Sequence, residues 1–198
     1  MFTKTQIRIL EVFTAHITEK YSINKIAQLL KKPYPLIHKS VKYLLQKKML
    51  VKDQHKLLSV NIKEHHAELA YVESLRREAL YKRHTFLSLF FEDFEKSVGQ
   101  KFFVALVFGS TVETRNPRDI DILVIIESMN DVEQIERILQ RICERYAKNF
   151  DAHVIPIESV YEMLAKREEK NVMNETLNKH IILWGGENYY RFINNGRR

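Results

Sequence analysis

Residues 101 to 126 read KFFVALVFGSTVETRNPRDIDILVII, and the two acids near the end of this stretch are the first candidates for chemistry. Asp119 and Asp121 alternate with Ile120, Ile122 and Val124 in a strand-forming run. Strand side chains repeat every two residues, so the carboxylates share one face with α-carbons about 6.5 to 7 Å apart. Their oxygens can converge on a hard cation such as Mg2+ or Mn2+. The apolar residues take the other face and can bury. Gly109 and Ser110, at the end of a buried strand from Phe102 to Phe108, are separated from the first acid by eight residues. A glycine lets a phosphate approach the backbone, and the Ser110 hydroxyl and amide can donate to it. Metal and phosphate ligands then meet in one place. Arg115 and Arg118, in the polar loop around Pro117, can neutralise phosphate charge.

The elements needed to position these residues follow in order. Asp131 to Lys148 predicts an amphipathic helix with Val132, Ile135, Ile138, Leu139, Ile142, Cys143 and Tyr146 on one stripe. Phe150 to Ile155 reads as the next strand, which makes Asp151 a third acid with His153 on its face. Ser159 and Glu162 have capping-box spacing ahead of a helix containing Val160, Met163 and Leu164. Ile181 to Trp184 then reads as a short strand ended by Gly185-Gly186, before an aromatic terminus with Tyr189, Tyr190 and Phe192.

Strand, Gly-Ser, eight residues, D-x-D, apolar strand: this order resembles the catalytic core of the DNA polymerase β-like nucleotidyltransferases, particularly the minimal nucleotidyltransferase group. The likeness covers residues 101 to 158 closely and 159 to 198 loosely. It implies an α/β (α+β) domain over residues 97–198 with a small mixed sheet. The implied reaction moves a nucleoside monophosphate from an NTP, AMP from ATP in the first instance, to a hydroxyl with release of pyrophosphate. Gly109 and Ser110 would bind the triphosphate, Asp119 and Asp121 the metal ions, and Asp151 would be a further ligand or the general base. Where many members of that group have alanine, glycine and serine in the loop, this chain has Val112, Thr114 or Arg115, and Arg118.

Charge separates a second region from this one. The net charge is +7, yet residues 1 to 62 alone carry 12 Lys or Arg against Glu11, Glu19 and Asp53, leaving the remainder at −2. Ile7 to Phe13, Ile23 to Leu30 and Ile37 to Leu45 have helical spacing, Ser22 can cap the second run, and Pro33 and Pro35 suit the start of the third. Leu50-Val51 and Leu57 to Val60 read as two strands around a turn. Three helices and a hairpin resemble the winged helix-turn-helix family over residues 1–62, which implies a mainly α domain that binds duplex DNA. Tyr34, His38, Lys39 and Lys42 would lie on the outer side of its third helix, with Lys52 and Lys56 on its wing. Lysines suit phosphates better than base edges, whose bidentate partners are usually Arg, Asn or Gln. Winged helices also mediate protein contacts, so a homodimer is the alternative use of this region.

Residues 63–96 are expected to form one linking helix, with Ala67, Ala70, Leu75, Ala79, Phe86, Leu87, Phe90 and Phe94 as its stripe. No apolar run approaches the roughly 20 residues a bilayer requires. The opening MFTKTQIRIL is too polar for a secretory signal, and Cys143 alone cannot make an internal disulfide, so a cytoplasmic location without membrane partners is expected. Two other uses of the same residues remain open: a non-catalytic DNA-binding regulator whose degenerate domain senses nucleotide, and the antitoxin of a toxin pair, acting on a protein partner.

Overall fold

The computed structural model describes residues 2–196 and is a mixed α and β structure with two small sheets. The basic region holds helices α1 (Lys4–Ala15), α2 (Ile23–Leu30) and α3 (Tyr34–Gln46), then strands β1 (Leu50–Lys52) and β2 (Leu58–Val60), paired antiparallel. Local chemistry sets the boundaries. Thr3 and Gln6 form a reciprocal capping box on α1, and the Ser22 hydroxyl accepts the Lys25 amide on α2. Pro33 precedes α3, and Pro35 sits in its first turn, where a missing N–H costs nothing. In the hairpin turn the Asp53 carboxylate accepts the amides of His55 and Leu57 at 2.9 and 3.0 Å. Tyr21 adds an antiparallel bridge to Leu58.

Residues 66 to 98 form two helices, α4 (His66–Arg83) and α5 (Thr85–Val98), and this corrects the expected single linking helix. The chain leaves helical geometry at His84, with φ −129° and ψ 75°. There the buried imidazole is fixed 3.0 Å from the Thr114 carbonyl. The break lets α4 pack on α1 and the sheet edge while α5 crosses to one sheet face. The stripe of α4 also differs from expectation. Ala79 is exposed, and the buried line Leu69, Val72, Glu73, Arg76, Leu80 includes two charges.

The larger sheet has the order β5-β4-β3-β6, formed by β3 (Phe103–Phe108), β4 (Ile120–Ile126), β5 (Phe150–Pro156) and β6 (His180–Trp184). β3 pairs antiparallel with β4 and β6, and β4 pairs parallel with β5. One face, with Phe103, Ala105, Val107, Ile122 and Val124, buries against α5 and α7 (Val132–Cys143). The other face, with Val104, Leu106, Leu123, Ile125 and Ile182, belongs to a continuous core that also contains Ile9, Phe13, Ile37 and Leu44 of the basic region. Helices α8 (Ile157–Ala165) and α10 (Gly186–Gly196) contribute to that core through Val160, Leu164, Tyr190 and Ile193. Two short helices, α6 (Ser110–Glu113) and α9 (Val172–Thr176), complete the fold.

Two further boundaries move. α7 ends at Cys143, and turns carry the chain to β5. α8 begins at Ile157 behind Pro156 with no side-chain cap, so Ser159 lies inside the helix and the expected capping box does not form. Proline had already fixed the helix entry three residues earlier.

Candidate active site

Three carboxylates gather where β4 and β5 start side by side. In the parallel register Asp121 is paired directly with Asp151, and across the antiparallel ladder with Phe108, the last residue of β3. β4 starts at Ile120, so Asp119 lies one residue before the strand and not on it as expected. The Asp121 carboxyl is pushed above the ordinary carboxylate range, first by burial, then by the charges of Asp119 and Asp151 and, more weakly, Glu175. Asp121 therefore feels the charge of both neighbouring acids. His153 lies beside them, its Nε2 3.1 Å from Asp151 Oδ1.

The turn after β3 is fitted to this group. Gly109 has φ +62° and ψ −140°, a conformation that side chains disfavour, and an added Cβ would stand 2.5 Å from Asp121 Oδ2. Its amide donates to the Lys179 carbonyl at 3.1 Å, which ties the turn to the start of β6. Ser110 is exposed at the start of α6. Thr111, fully buried, donates its hydroxyl to the Asp119 carbonyl at 3.3 Å and accepts the Asp121 amide at 3.4 Å. A cavity of about 370 Å³ opens beside Phe108, Gly109 and Asp121 and is closed by Asn174, Glu175, Asn178 and Lys179. Arg115 and Arg118 are exposed on the loop, outside this lining and without an ion-pair partner among the described residues.

Behind the site lies a buried polar cluster. Glu73 pairs with Arg76 and accepts from the Tyr190 hydroxyl and the Ile182 amide, while Arg76 donates to the His180 carbonyl. His180 is fully buried against Tyr189, and burial pushes its imidazole down to about 4 despite the opposing charge of Glu73.

Oxygen donors of this kind fit Mg2+ or Mn2+, and a cation would relieve the crowding of negative charge at Asp121. Among the described residues no three His, Cys, Asp or Glu side chains are arranged as a metal cluster. Mg2+ is usually held by one or two carboxylates and completed by water and substrate phosphates. Asp119 and Asp121 can supply the two.

Every candidate nucleic-acid contact is exposed. Tyr34, His38, Lys39 and Lys42 are exposed on α3 while Ile37, Ser40, Val41 and Leu44 are buried, and Lys52 and Lys56 are exposed on the hairpin. The rings of Tyr34 and His38 stack at 5.8 Å.

Thr111, Lys179 and Glu175 were not among the residues expected from sequence. Thr111 follows the Gly-Ser pair and could have been weighed from its position. Lys179 and Glu175 reach the site only through sheet pairing, which local spacing does not encode. No family model, curated protein or solved structure matches this chain. The functional reading therefore rests on the geometry.

Proposed function

We propose that the chain transfers a nucleoside monophosphate, AMP from ATP in the first instance, to a hydroxyl acceptor at Asp119, Asp121 and Asp151. The observation that carries this reading is the side-by-side register of Asp121 and Asp151, with the Gly109 turn packed on the Asp121 carboxylate. Nucleotide and acceptor need a common meeting point. An anion-accepting turn adjoining clustered acids supplies one.

The residues divide the work. Gly109 keeps the space over Asp121 open, and Ser110 offers its hydroxyl and amide to the triphosphate. Asp119 and Asp121 would hold Mg2+ or Mn2+, which would supply charge neutralisation for the phosphates. Thr111 keeps the two acids in fixed relation through their backbone. Asp151 accepts the acceptor's proton as its oxygen bonds to the α-phosphorus. The α–β bridging P–O bond breaks, and pyrophosphate leaves with that electron pair. Arg115 and Arg118 add positive charge at the loop rim.

We also propose that the basic region is a winged helix-turn-helix that binds duplex DNA through phosphates, using Tyr34, His38, Lys39, Lys42, Lys52 and Lys56. The exposure of all six supports this. A second reading is a DNA-binding regulator that binds nucleotide without chemistry.

One experiment separates the two. α-Labelled ATP, Mg2+ and fractionated lysate are incubated with the wild type and with Asp121→Asn. Transfer predicts label in an acceptor fraction and pyrophosphate release for the wild type, and neither for the variant. Equal labelling by both proteins overturns the assignment, and Mg2+-dependent ATP binding without pyrophosphate release establishes the second reading.

A further inference from the structure

The two arginines that the sequence offers to phosphate, Arg115 and Arg118, stand outside the cavity beside Gly109 and Asp121. The lining of that cavity holds the carboxylates of Asp121 and Glu175 and, among the described residues, a single cation, Lys179. Carboxylates repel a polyphosphate unless positive charge offsets them. On the side of Asp119 and Asp121 a bound metal ion would do so. The opposite wall, formed by Asn174, Glu175, Asn178 and Lys179, has only the Lys179 ammonium for that purpose.

The Lys179 backbone is held from three directions. Just before it, the Asn178 carboxamide accepts the Thr18 amide at 3.1 Å and donates to the Thr18 hydroxyl. Its own carbonyl accepts the Gly109 amide at 3.1 Å. Just after it, His180 pairs in register with Phe108, whose partner on the other side of the ladder is Asp121. The side chain is engaged far more loosely. Its Nζ stands 3.4 and 3.5 Å from the two carboxylate oxygens of Glu113, and both side chains are about half exposed. An ion pair this open to water is weak, so an exchange of partners costs little. Glu113 is three residues after Ser110 on α6, which leaves the ammonium beside the turn that offers its hydroxyl and amide to phosphate.

We propose that Lys179 binds the β- and γ-phosphates of the nucleotide, exchanging the Glu113 carboxylate for phosphate oxygens and staying protonated throughout. This role rests on the nucleotide reading of Asp119 and Asp121. A lysine suits it because the ammonium is a compact point charge on a flexible stem, able to donate to several oxygens and to follow them as they move. The same hydrogen bonds strengthen as charge builds on the departing pyrophosphate. They also make the site selective for a nucleoside triphosphate over a monophosphate, which has no β- or γ-oxygens to offer.

Calorimetric titrations with ATP, and with AMP in competition against ATP, are run in Mg2+ on the full chain as wild type, Lys179→Met, Lys179→Arg and Glu113→Gln, with denaturant melts to establish that each variant is folded. Lys179→Met should weaken ATP binding about tenfold or more and change AMP binding by less than about twofold, because only the triphosphate loses a charge-assisted contact. Lys179→Arg should recover most of that loss. Glu113→Gln, which frees the ammonium, should tighten ATP binding about twofold or more. Unchanged ATP binding by Lys179→Met, while Asp119→Asn combined with Asp121→Asn still abolishes the Mg2+-dependent binding, overturns the role of Lys179 and leaves the nucleotide site standing. Equal losses for ATP and AMP, which a merely structural lysine would give, or weaker ATP binding by Glu113→Gln, also overturn it. Absence of ATP binding by the wild type overturns the nucleotide reading itself, and the role of Lys179 falls with it.

Discussion

The outer surface of α3 and the carboxylate end of the sheet are built on opposite plans. On α3 the candidate residues are exposed side by side, backed by a separate buried stripe, and the Tyr34 ring stacks on His38. At the sheet end hardly any group is independent. Gly109 abuts Asp121 and bonds to Lys179, Thr111 bridges Asp119 and Asp121, Asp121 faces Asp151, and Asp151 contacts His153. A surface that gathers phosphates needs charge and exposure, and its contributions add. A site that must fix several acids around one reacting centre needs a scaffold, and changes there propagate.

The largest effect expected on the interlocked side comes from His180, next to Lys179 in sequence. Its imidazole is neutral when folded, pushed from 6.5 down to about 4, so the unfolded chain binds the extra proton between those values. Stability from this group is therefore fully present above pH 6.5 and lost as the pH falls toward 4, by about 3 kcal/mol. Denaturant melts from pH 7.5 to 4 measure this, and His180→Leu should flatten that part of the curve. An unchanged curve in the variant would show that His180 does not supply the acid lability.

Gly109→Ala comes next. The new methyl would displace the Asp121 carboxylate, and misplacement of a reacting group by about 1 Å can lower the transfer rate by about a hundredfold. The backbone strain adds about 1 to 3 kcal/mol of destabilisation. Near-normal transfer by a folded Gly109→Ala protein would break the link between turn and acid. Thr111→Val is expected to be milder, losing about tenfold in transfer and about 1 kcal/mol of stability as its two hydrogen bonds disappear, with Thr111→Ser restoring most of both. The two losses should add less than independently when combined with Gly109→Ala, because both act through Asp121.

On the α3 side, single changes should be small and additive. With four lysine contacts the slope of log affinity for duplex DNA against log salt should be about −3.6, and Lys42→Ala should reduce its magnitude by about 0.9. Combining it with Lys52→Ala should double that reduction. Strong non-additivity would place the basic surface on the interlocked plan instead.

The same contrast explains what the sequence made legible. The α3 surface is local, so its 3.6-residue period separates Ile37, Val41 and Leu44 from Tyr34, His38, Lys39 and Lys42, and the buried and exposed sets agree. The strand period likewise put Asp121 within one strand and Asp151 within the next, as β4 and β5 have them, although Asp119 falls just before β4. Their direct pairing required the register of β4 against β5, across a helix and about thirty residues, and spacing carries no such information. Lys179 and Glu175 lie further still from Gly109 and Asp121. The break at His84 was hidden because Leu80, His84, Leu87, Phe91 and Phe94 keep an unbroken helical spacing through it. Its cause is the contact with Thr114 and the crossing of α5 to the other sheet face. Glu73 and Arg76 escaped a hydrophobicity reading because they are buried as a bonded pair.

Calorimetric titration of ATP into the protein, with and without Mg2+, bears most directly on the carboxylate site. Three crowded acids repel a free triphosphate, so the wild type should bind ATP tens of times more tightly with Mg2+ than without it. Asp119→Asn combined with Asp121→Asn should abolish that dependence. Equal binding with and without Mg2+, or a Mg2+ effect that survives in the double variant, would contradict a nucleotide site at Asp119 and Asp121.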